Sequence, residues 1–204
     1  MQHHGILRTL VRLAVLPALL LVSMATATDA SAQNAAVKTN LVSDALLSPN
    51  IGAEIGLAPK WSLEAAYQIN AWKVDGHSWK HWFIQPEARY WLCQRFAGHF
   101  FGLHAIGGQF NLAHLGIGIN FLGSNFKNLL NRRYQGWGAG AGIAYGYAWP
   151  VAKHWNIEAE IGIGWIYTRF DSYPCAECGR RIDSNRVHNY VGPTKAAVNV
   201  VYLF

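Results

Sequence analysis

Lys195-Ala196-Ala197-Val198-Asn199-Val200-Val201-Tyr202-Leu203-Phe204 is the stretch that decides the fold. Ala196, Val198, Val200, Tyr202 and Phe204 share one side, while Lys195, Ala197, Asn199 and Val201 share the other. A period of two is that of a β-strand, whose successive side chains face opposite ways. The apolar side ends on an aromatic residue. A water-soluble domain gains little from such an ending, because termini fray in water. A closing strand of a transmembrane β-barrel gains more, since Tyr202 and Phe204 then form an outward signal for the barrel assembly machinery. The expectation is a membrane barrel.

The same alternation recurs upstream. Trp61, Leu63, Ala65, Tyr67, Ile69 and Ala71 oppose Ser62, Glu64, Ala66, Gln68 and Asn70. Trp155, Ile157, Ala159, Ile161, Ile163, Trp165 and Tyr167 oppose Asn156, Glu158, Glu160, Gly162 and Gly164. Between Gln135 and Trp149, bulky Trp137, Ile143, Tyr145 and Tyr147 alternate with Gly136, Gly138, Gly140, Gly142 and Gly146. Eight such segments fall at 35–46, 50–58, 61–72, 80–92, 99–111, 134–149, 155–170 and 190–204. The connections at 58–60, 93–98 and 150–154 are short, and those at 73–79, 112–133 and 171–189 are longer. The connection at 47–49 is a short exception. Short turns at one end and longer loops at the other are the pattern of an even-stranded outer-membrane barrel. The predicted fold is therefore an eight-stranded antiparallel transmembrane β-barrel of OmpA/OmpX-like size.

Residues 1–32 read as a secretory signal peptide, cleaved after Ala32. Arg8 and Arg12 supply the positive end, Leu13 to Val22 the apolar run, and Ala30-Ser31-Ala32 the small-residue cleavage site. The apolar run is too short to span a bilayer as a helix. The remaining 33–204 form one predicted domain, with a formal charge of +5 once Arg8, Arg12 and Asp29 are removed. That excess suits anionic lipid and lipopolysaccharide head groups. The charges are scattered and the chain is exported, so nucleic acid is excluded as a partner. A mean hydropathy of +0.07 fits a barrel with an apolar outside and a polar inside.

Lys60-Trp61 and Lys153-His154-Trp155 each place a Trp just after a short turn, where an aromatic girdle sits. Trp72, Trp82, Tyr134, Trp137, Tyr167 and Phe170 are candidates for the other rim. The inward phase carries Lys38, Asp44, Glu54, Glu64, Glu87, Arg89, Glu158, Glu160 and Lys195, with Gln68, Gln85 and His104 nearby. Eight strands enclose a space that side chains fill, so these charges must pair with one another. An internal salt-bridge network is expected, with the glycine wall leaving room for long side chains opposite.

Three constellations offer chemistry. Cys175 and Cys178 form a CxxC pair in the last loop; in an oxidising compartment a loop disulfide is expected, and Cys93 is left odd. Zinc needs about four ligands and only His188 is close by, so no metal site and no cofactor are expected. Asp75, His77 and Ser78 have the residue types of nucleophilic acyl transfer and would serve a lipid A-modifying enzyme. Ser124 to Arg133 reads either as a short helix capped by Ser124, with its cations near lipid phosphates, or as a polar-apolar loop packed over the barrel mouth.

Val37-Lys38-Thr39-Asn40-Leu41, Gln85-Pro86-Glu87-Ala88-Arg89-Tyr90-Trp91-Leu92, Gly98-His99-Phe100-Phe101-Gly102 and Tyr134-Gln135-Gly136-Trp137-Gly138-Ala139-Gly140 occur in that order. With Cys175-x-x-Cys178-Gly179 and Gly192-Pro193-Thr194-Lys195, they resemble the Bacteroidetes-type outer-membrane barrel family catalogued as domain of unknown function 3575. The resemblance spans the chain after residue 32 and implies an eight-stranded barrel, often encoded near fimbria-related genes. It implies no activity and no catalytic residues. The expected function is a structural or surface-interaction role in the outer membrane of a Gram-negative bacterium, with loops 112–133 and 171–189 touching a surface partner. The alternatives are the lipid A enzyme and a narrow ion or proton conduit through the charged interior.

Overall fold

The computed structural model describes residues 33–74, 77–113, 120–121, 124–125, 132–174 and 180–204. In chain order the elements are β1 (Ala35–Asn40), α1 (Leu41–Ala45), β2 (Asn50–Ala58), β3 (Trp61–Val74), β4 (His77–Trp91) and β5 (Gly98–Ala113), followed by β6 (Asn120–Phe121), β7 (Ser124–Asn125), β8 (Arg133–Ala152), β9 (Trp155–Tyr173) and β10 (Asp183–Leu203). Eight strands, all but β6 and β7, close into one antiparallel barrel in the order β1-β10-β9-β8-β5-β4-β3-β2. The ring is shut by β1 against β10, with Val37 opposite Tyr202 and Asn40 opposite Asn199. Closure leaves no free edge along the lower ring. Among the described residues no helix is long and apolar enough to cross a membrane.

Burial is inverted relative to a soluble protein. Leu103, Ile161 and Ile143 point outward at 65, 62 and 61 % exposure, while Glu54, Glu87, Arg89 and Glu158 point inward at 0–1 %. Soluble proteins rarely expose so large a contiguous apolar patch. Trp61, Trp155 and Tyr202 mark the outward belt near the short turns, with the Trp155 and Tyr202 rings packed edge to face at 5.0 Å. Trp82 and Trp137 mark it near the other end, the latter beside Tyr167. Tyr134 and Phe170, expected on that rim, instead alternate in phase with inward Gly136 and pack on each other at 5.4 Å.

Two expectations fail for local reasons. The first strand ends at Asn40, and Leu41–Ala45 is a helix. Asn40 caps it, its side chain accepting the Val42 N–H, which trades a strand partner for a helix start. Ser124 pairs with Phe121 in a two-residue ladder, so it does not cap a helix; residues 126–131 lie outside the described residues. Strands also run further toward the loops than alternation of apolar residues indicates. β3 and β4 pair up to Val74 and His77, and β9 and β10 continue to Tyr173 and back from Asp183. Above the apolar band the outward residues turn polar, so the hydropathy signal fades while backbone pairing continues.

A bulge in β10 matters for the interior. Pro193 faces Ile163 and Lys195 faces Gly162, so Thr194 is the extra residue. The bulge turns the Thr194 hydroxyl into the lumen next to Lys195, a common use of such an irregularity.

Candidate functional site

The lumen is built in three storeys. At the short-turn end an apolar plug forms from Ala36, Trp91, Phe96, Phe100, Ala148, Val201 and Leu203, all 4 % exposed or less. Phe96 comes from the turn between β4 and β5 and takes φ 64°, a left-handed conformation costing roughly 1–2 kcal/mol for a residue with a Cβ. Burial of its ring against Trp91, at 5.9 Å, offsets that cost, and Asn156 Nδ2 donates to the Phe96 carbonyl. The turn is thereby tucked under the barrel as a stopper.

The middle storey is ionic. Lys38 Nζ bonds Glu64 Oε2 at 3.0 Å and Glu158 Oε2 at 2.9 Å, and also reaches Glu54. Arg89 lies at the centre with no exposed surface. Its Nη1 meets Glu54 at 2.9 Å and Glu158 at 3.1 Å, its Nε meets Glu87 at 2.6 Å, and its Nη2 meets Glu160 at 2.7 Å and contacts Glu64. Lys195 Nζ reaches Glu87 at 2.8 Å and Glu160 at 3.1 Å. Five carboxylates from β2, β3, β4 and β9 thus enclose three cations from β1, β4 and β10. The planar guanidinium suits the centre because its donors fan out to several carboxylates at once. A relay couples this storey to the plug: Trp91 Nε1 donates to Ser62 Oγ, which donates to Glu54, while the Arg89 guanidinium lies 4.5 Å from the Phe100 ring centroid.

Glycines make the room. A Cβ at Gly102 would lie 2.6 Å from the Glu87 carboxyl, at Gly146 2.3 Å from Phe100, at Gly142 2.7 Å from His104, and at Gly52 2.8 Å from Lys38. Glu87, Phe100, His104 and Lys38 therefore each lie over a glycine on a neighbouring strand, which is how a narrow barrel is filled. Higher on β8 the glycines do something else. A Cβ at Gly136 or Gly140 would meet the carbonyl oxygen of Arg169 or Trp165 at 2.1 or 2.3 Å, so the wall bends tightly there.

Above the ions, His104 Nε2 hydrogen-bonds Thr194 Oγ1 at 2.8 Å, and Gln85 Nε2 donates to the Thr194 carbonyl at 3.4 Å. Ser43 of α1 donates to Gln68, and this layer of amides and hydroxyls forms the floor of the upper storey. That storey is mainly apolar, a space of about 420 Å³ walled by Phe83, Ile106, Phe110, Leu112 and Ile166, with Ser48, His81, Gln109 and Thr168 also on its lining.

Eight of the nine inward-phase charges named from the sequence meet in the middle storey. Asp44 does not: it sits exposed on α1, accepting from Thr39 Oγ1 at 2.8 Å and Asn50 Nδ2 at 2.9 Å. Its predicted phase is lost because the strand stops at Asn40. Tyr202 faces outward on β10, and Phe204 follows the strand's end at Leu203. Asp75 lies outside the described residues; His77 and Ser78 open β4, opposite Val74 and Lys73. The expected second outer loop thus shrinks to the two residues between paired strands. Cys175 and Cys178 lie outside the described residues, and Cys93 is a free, exposed thiol in a turn. The sequence reading missed the plug, although Trp91 continues the inward phase of Gln85, Glu87 and Arg89. It also missed Thr194, since no pattern announces a bulge.

Two carboxylate trios, Glu54–Glu64–Glu158 and Glu64–Glu87–Glu160, are close enough to hold a metal ion. Lys38, Arg89 and Lys195 already stand among those oxygens, so a divalent ion would have to displace an ammonium or guanidinium. The set fits an internal brace and does not fit a metal centre. Nothing in it resembles a nucleophile with its base, as acyl transfer requires.

A closed eight-stranded barrel with an ion-paired, plugged lumen and an apolar exterior is the class this geometry defines. The chain belongs to the family described as Protein of unknown function (DUF3575), which matches it over residues 18–204. Neither the curated proteins nor the solved structures yielded a match.

Proposed function

We propose that this protein is a small outer-membrane barrel with a structural or surface-interaction role, which holds loops 112–133 and 171–189 at the surface of a Gram-negative cell for a partner to engage. The observation that carries the reading is the inverted burial, with isoleucines and leucines outside and eight ionisable groups inside. In water such an exterior would aggregate. In lipid it is solvated, and the polar interior satisfies itself. Trp61, Trp155, Trp82 and Trp137 sit where aromatic belts meet head groups. The plug and the central Arg89 argue against a conduit, because an ion entering the lumen would have to break several charge-assisted bonds. Among the described residues nothing favours the lipid A enzyme, whose candidate Asp75 lies outside them.

The test is fractionation of cells expressing the full chain. The reading expects the protein in the outer membrane, extractable only with detergent, with heat-modifiable mobility on gels and no current in planar bilayers. Recovery as a soluble monomer without detergent would contradict it. Removing loops 112–133 and 171–189 from a barrel that still inserts should abolish partner capture, and undiminished capture would contradict the surface role.

A further inference from the structure

The barrel wall is uneven in height. β1 has 6 residues and β2 has 9, whereas β3, β4, β5, β8, β9 and β10 have 14 to 21. β10 pairs with β1 only from Asn199 to Leu203. Among the described residues no strand flanks β10 on that side from Asp183 to Val198. Two strands are thus missing from the upper wall between β10 and β3, a gap of about 14 Å around the wall at the normal strand spacing.

The edges of the gap are dressed for a non-aqueous setting. Asn40 bridges the first step above β1, accepting from Val198 N–H and donating to the Ala196 carbonyl, both at 3.2 Å. Pro193 offers no N–H, and its carbonyl accepts from the Tyr190 hydroxyl at 3.3 Å. A lipid-facing edge must have its backbone groups satisfied in such ways. At the foot lie α1 and the turn after it, where Leu41, Val42, Leu46 and Leu47 are all more than a third exposed. The neighbours on either side, Val191 and Val198 on β10 and Tyr67 and Ile69 on β3, are exposed and apolar too. The outward apolar band therefore runs across the foot of the gap without a break.

Behind the gap lies the mainly apolar upper storey. Its 420 Å³ space adjoins a second of about 240 Å³ that reaches Val42, Ser43, Thr194 and Ala196, and both are lined by Leu46, Gln68 and Phe83. The combined space runs from the side opening, past α1, into the chamber under the barrel mouth. A lumen that merely met water would have no use for Phe83, Ile106, Phe110 and Ile166 on its walls. The volume lies in the range of small-ligand sites. The chamber is lined by Ser48, Gln68, His81, Gln109 and Thr168 besides its apolar side chains, and the space beside α1 reaches Lys38, Asn40, Glu64 and Lys195. Apolar side chains outnumber polar ones in the chamber, so a slender apolar chain gains more by entering it than a polar head group does.

We propose that the upper lumen is a binding site for one acyl chain of a membrane amphiphile, admitted sideways through the gap above β1 and β2. This rests on the membrane placement proposed above.

The test uses the full chain in lipid nanodiscs containing a phosphatidylethanolamine with a photoactivatable diazirine near the end of one acyl chain. Adducts on Ile143 and Ile161, which face outward, report the membrane placement. Adducts on Phe83, Ile106 or Ile166 report the lumen site. The proposal expects both sets, and expects Ile106→Trp, which fills the chamber, to cut the lumen adducts roughly ten-fold or more while sparing the outward ones. Ile166→Phe is the milder filling variant should Ile106→Trp fail to regain heat-modifiable mobility. Outward adducts with none in the lumen would overturn the proposal while leaving the membrane placement intact. Lumen adducts that appear only after removal of 114–131 would overturn it as well, since the chain itself would then be the occupant. Absence of outward adducts would overturn both.

Discussion

The two ends of one lumen are filled by opposite means. Toward the short turns, large inward side chains are matched by particular neighbours: Phe100 over Gly146, Glu87 over Gly102, Arg89 among four strands' carboxylates. Toward the loops, Phe83, Ile106, Phe110 and Ile166 are half-buried around a space that His81 and Thr168 also line, and two of the eight strands stop early. Both ends obey the same alternation and the same glycine spacing on β8. The difference teaches that binary patterning sets which face is inside, whereas the pairing of sizes and charges across strands decides whether that inside is a brace or a room.

The largest effect should come from the brace. Arg89→Ala leaves five buried carboxylates with two lysines, and breaking a buried pair from one side costs about 3–5 kcal/mol. Unfolding in urea with detergent present should show that loss, and Glu64→Gln in the same background should restore part of it by removing one of the carboxylates then in excess over the two lysines. A loss below about 1 kcal/mol would mean that the cluster is bystander chemistry. Next, the same truncation should cost different amounts in the two halves. Phe100→Ala in the plug should cost about 3–5 kcal/mol, whereas Phe83→Ala at the chamber wall should cost less, in proportion to the smaller area it buries. Equal costs would erase the distinction between packed and open storeys. Glycine replacement gives a third contrast. Gly146→Ala drives a Cβ into Phe100 and should cost about 1–3 kcal/mol, while Gly107→Ala meets open space and should be close to neutral.

Much of this was legible in the residues themselves. Alternation located eight strands and the charged phase, because an apolar outside and a charged, mutually paired inside impose a strict period of two. It failed at Leu41–Ala45, where the pattern of a strand continues in the side chains while Asn40 turns the backbone. The Asn at the cap position and Pro49 beyond were the available signals. It also underran the strand ends at Lys73, Asp183 and their neighbours, since a strand standing in water keeps its ladder without keeping its apolar face. Which carboxylate meets which cation was not readable, because those partners are up to 131 residues apart and depend on closure of the ring.

The smallest effect is expected in the strand extensions above the rim. Asp171 accepts the Asn185 N–H at 2.8 Å and lies 3.3 Å from Arg181, and these hold its carboxyl below the ordinary aspartate range. A lowered value in the folded state means that its contribution is present above the unfolded aspartate value and is lost as pH falls through the folded one. The group is exposed to solvent, so acidification should loosen the Asn185 amide in hydrogen exchange without moving the global unfolding midpoint. A shift of that midpoint in Asp171→Asn would show that the strand extensions are coupled to the barrel.

The central claim is that the two faces of these strands are inverted, with lipid outside and an ionic brace inside. Spin labels placed singly along β9, in a chain whose own cysteines are replaced by serine, read it directly. At Ile157, Ile161 and Ile163 the account predicts high accessibility to oxygen and low accessibility to a water-soluble nickel complex, and at Glu158 and Gly162 low accessibility to both. Nickel contact at Ile161 and Ile163 equal to that at an exposed loop position such as Arg180 would contradict it.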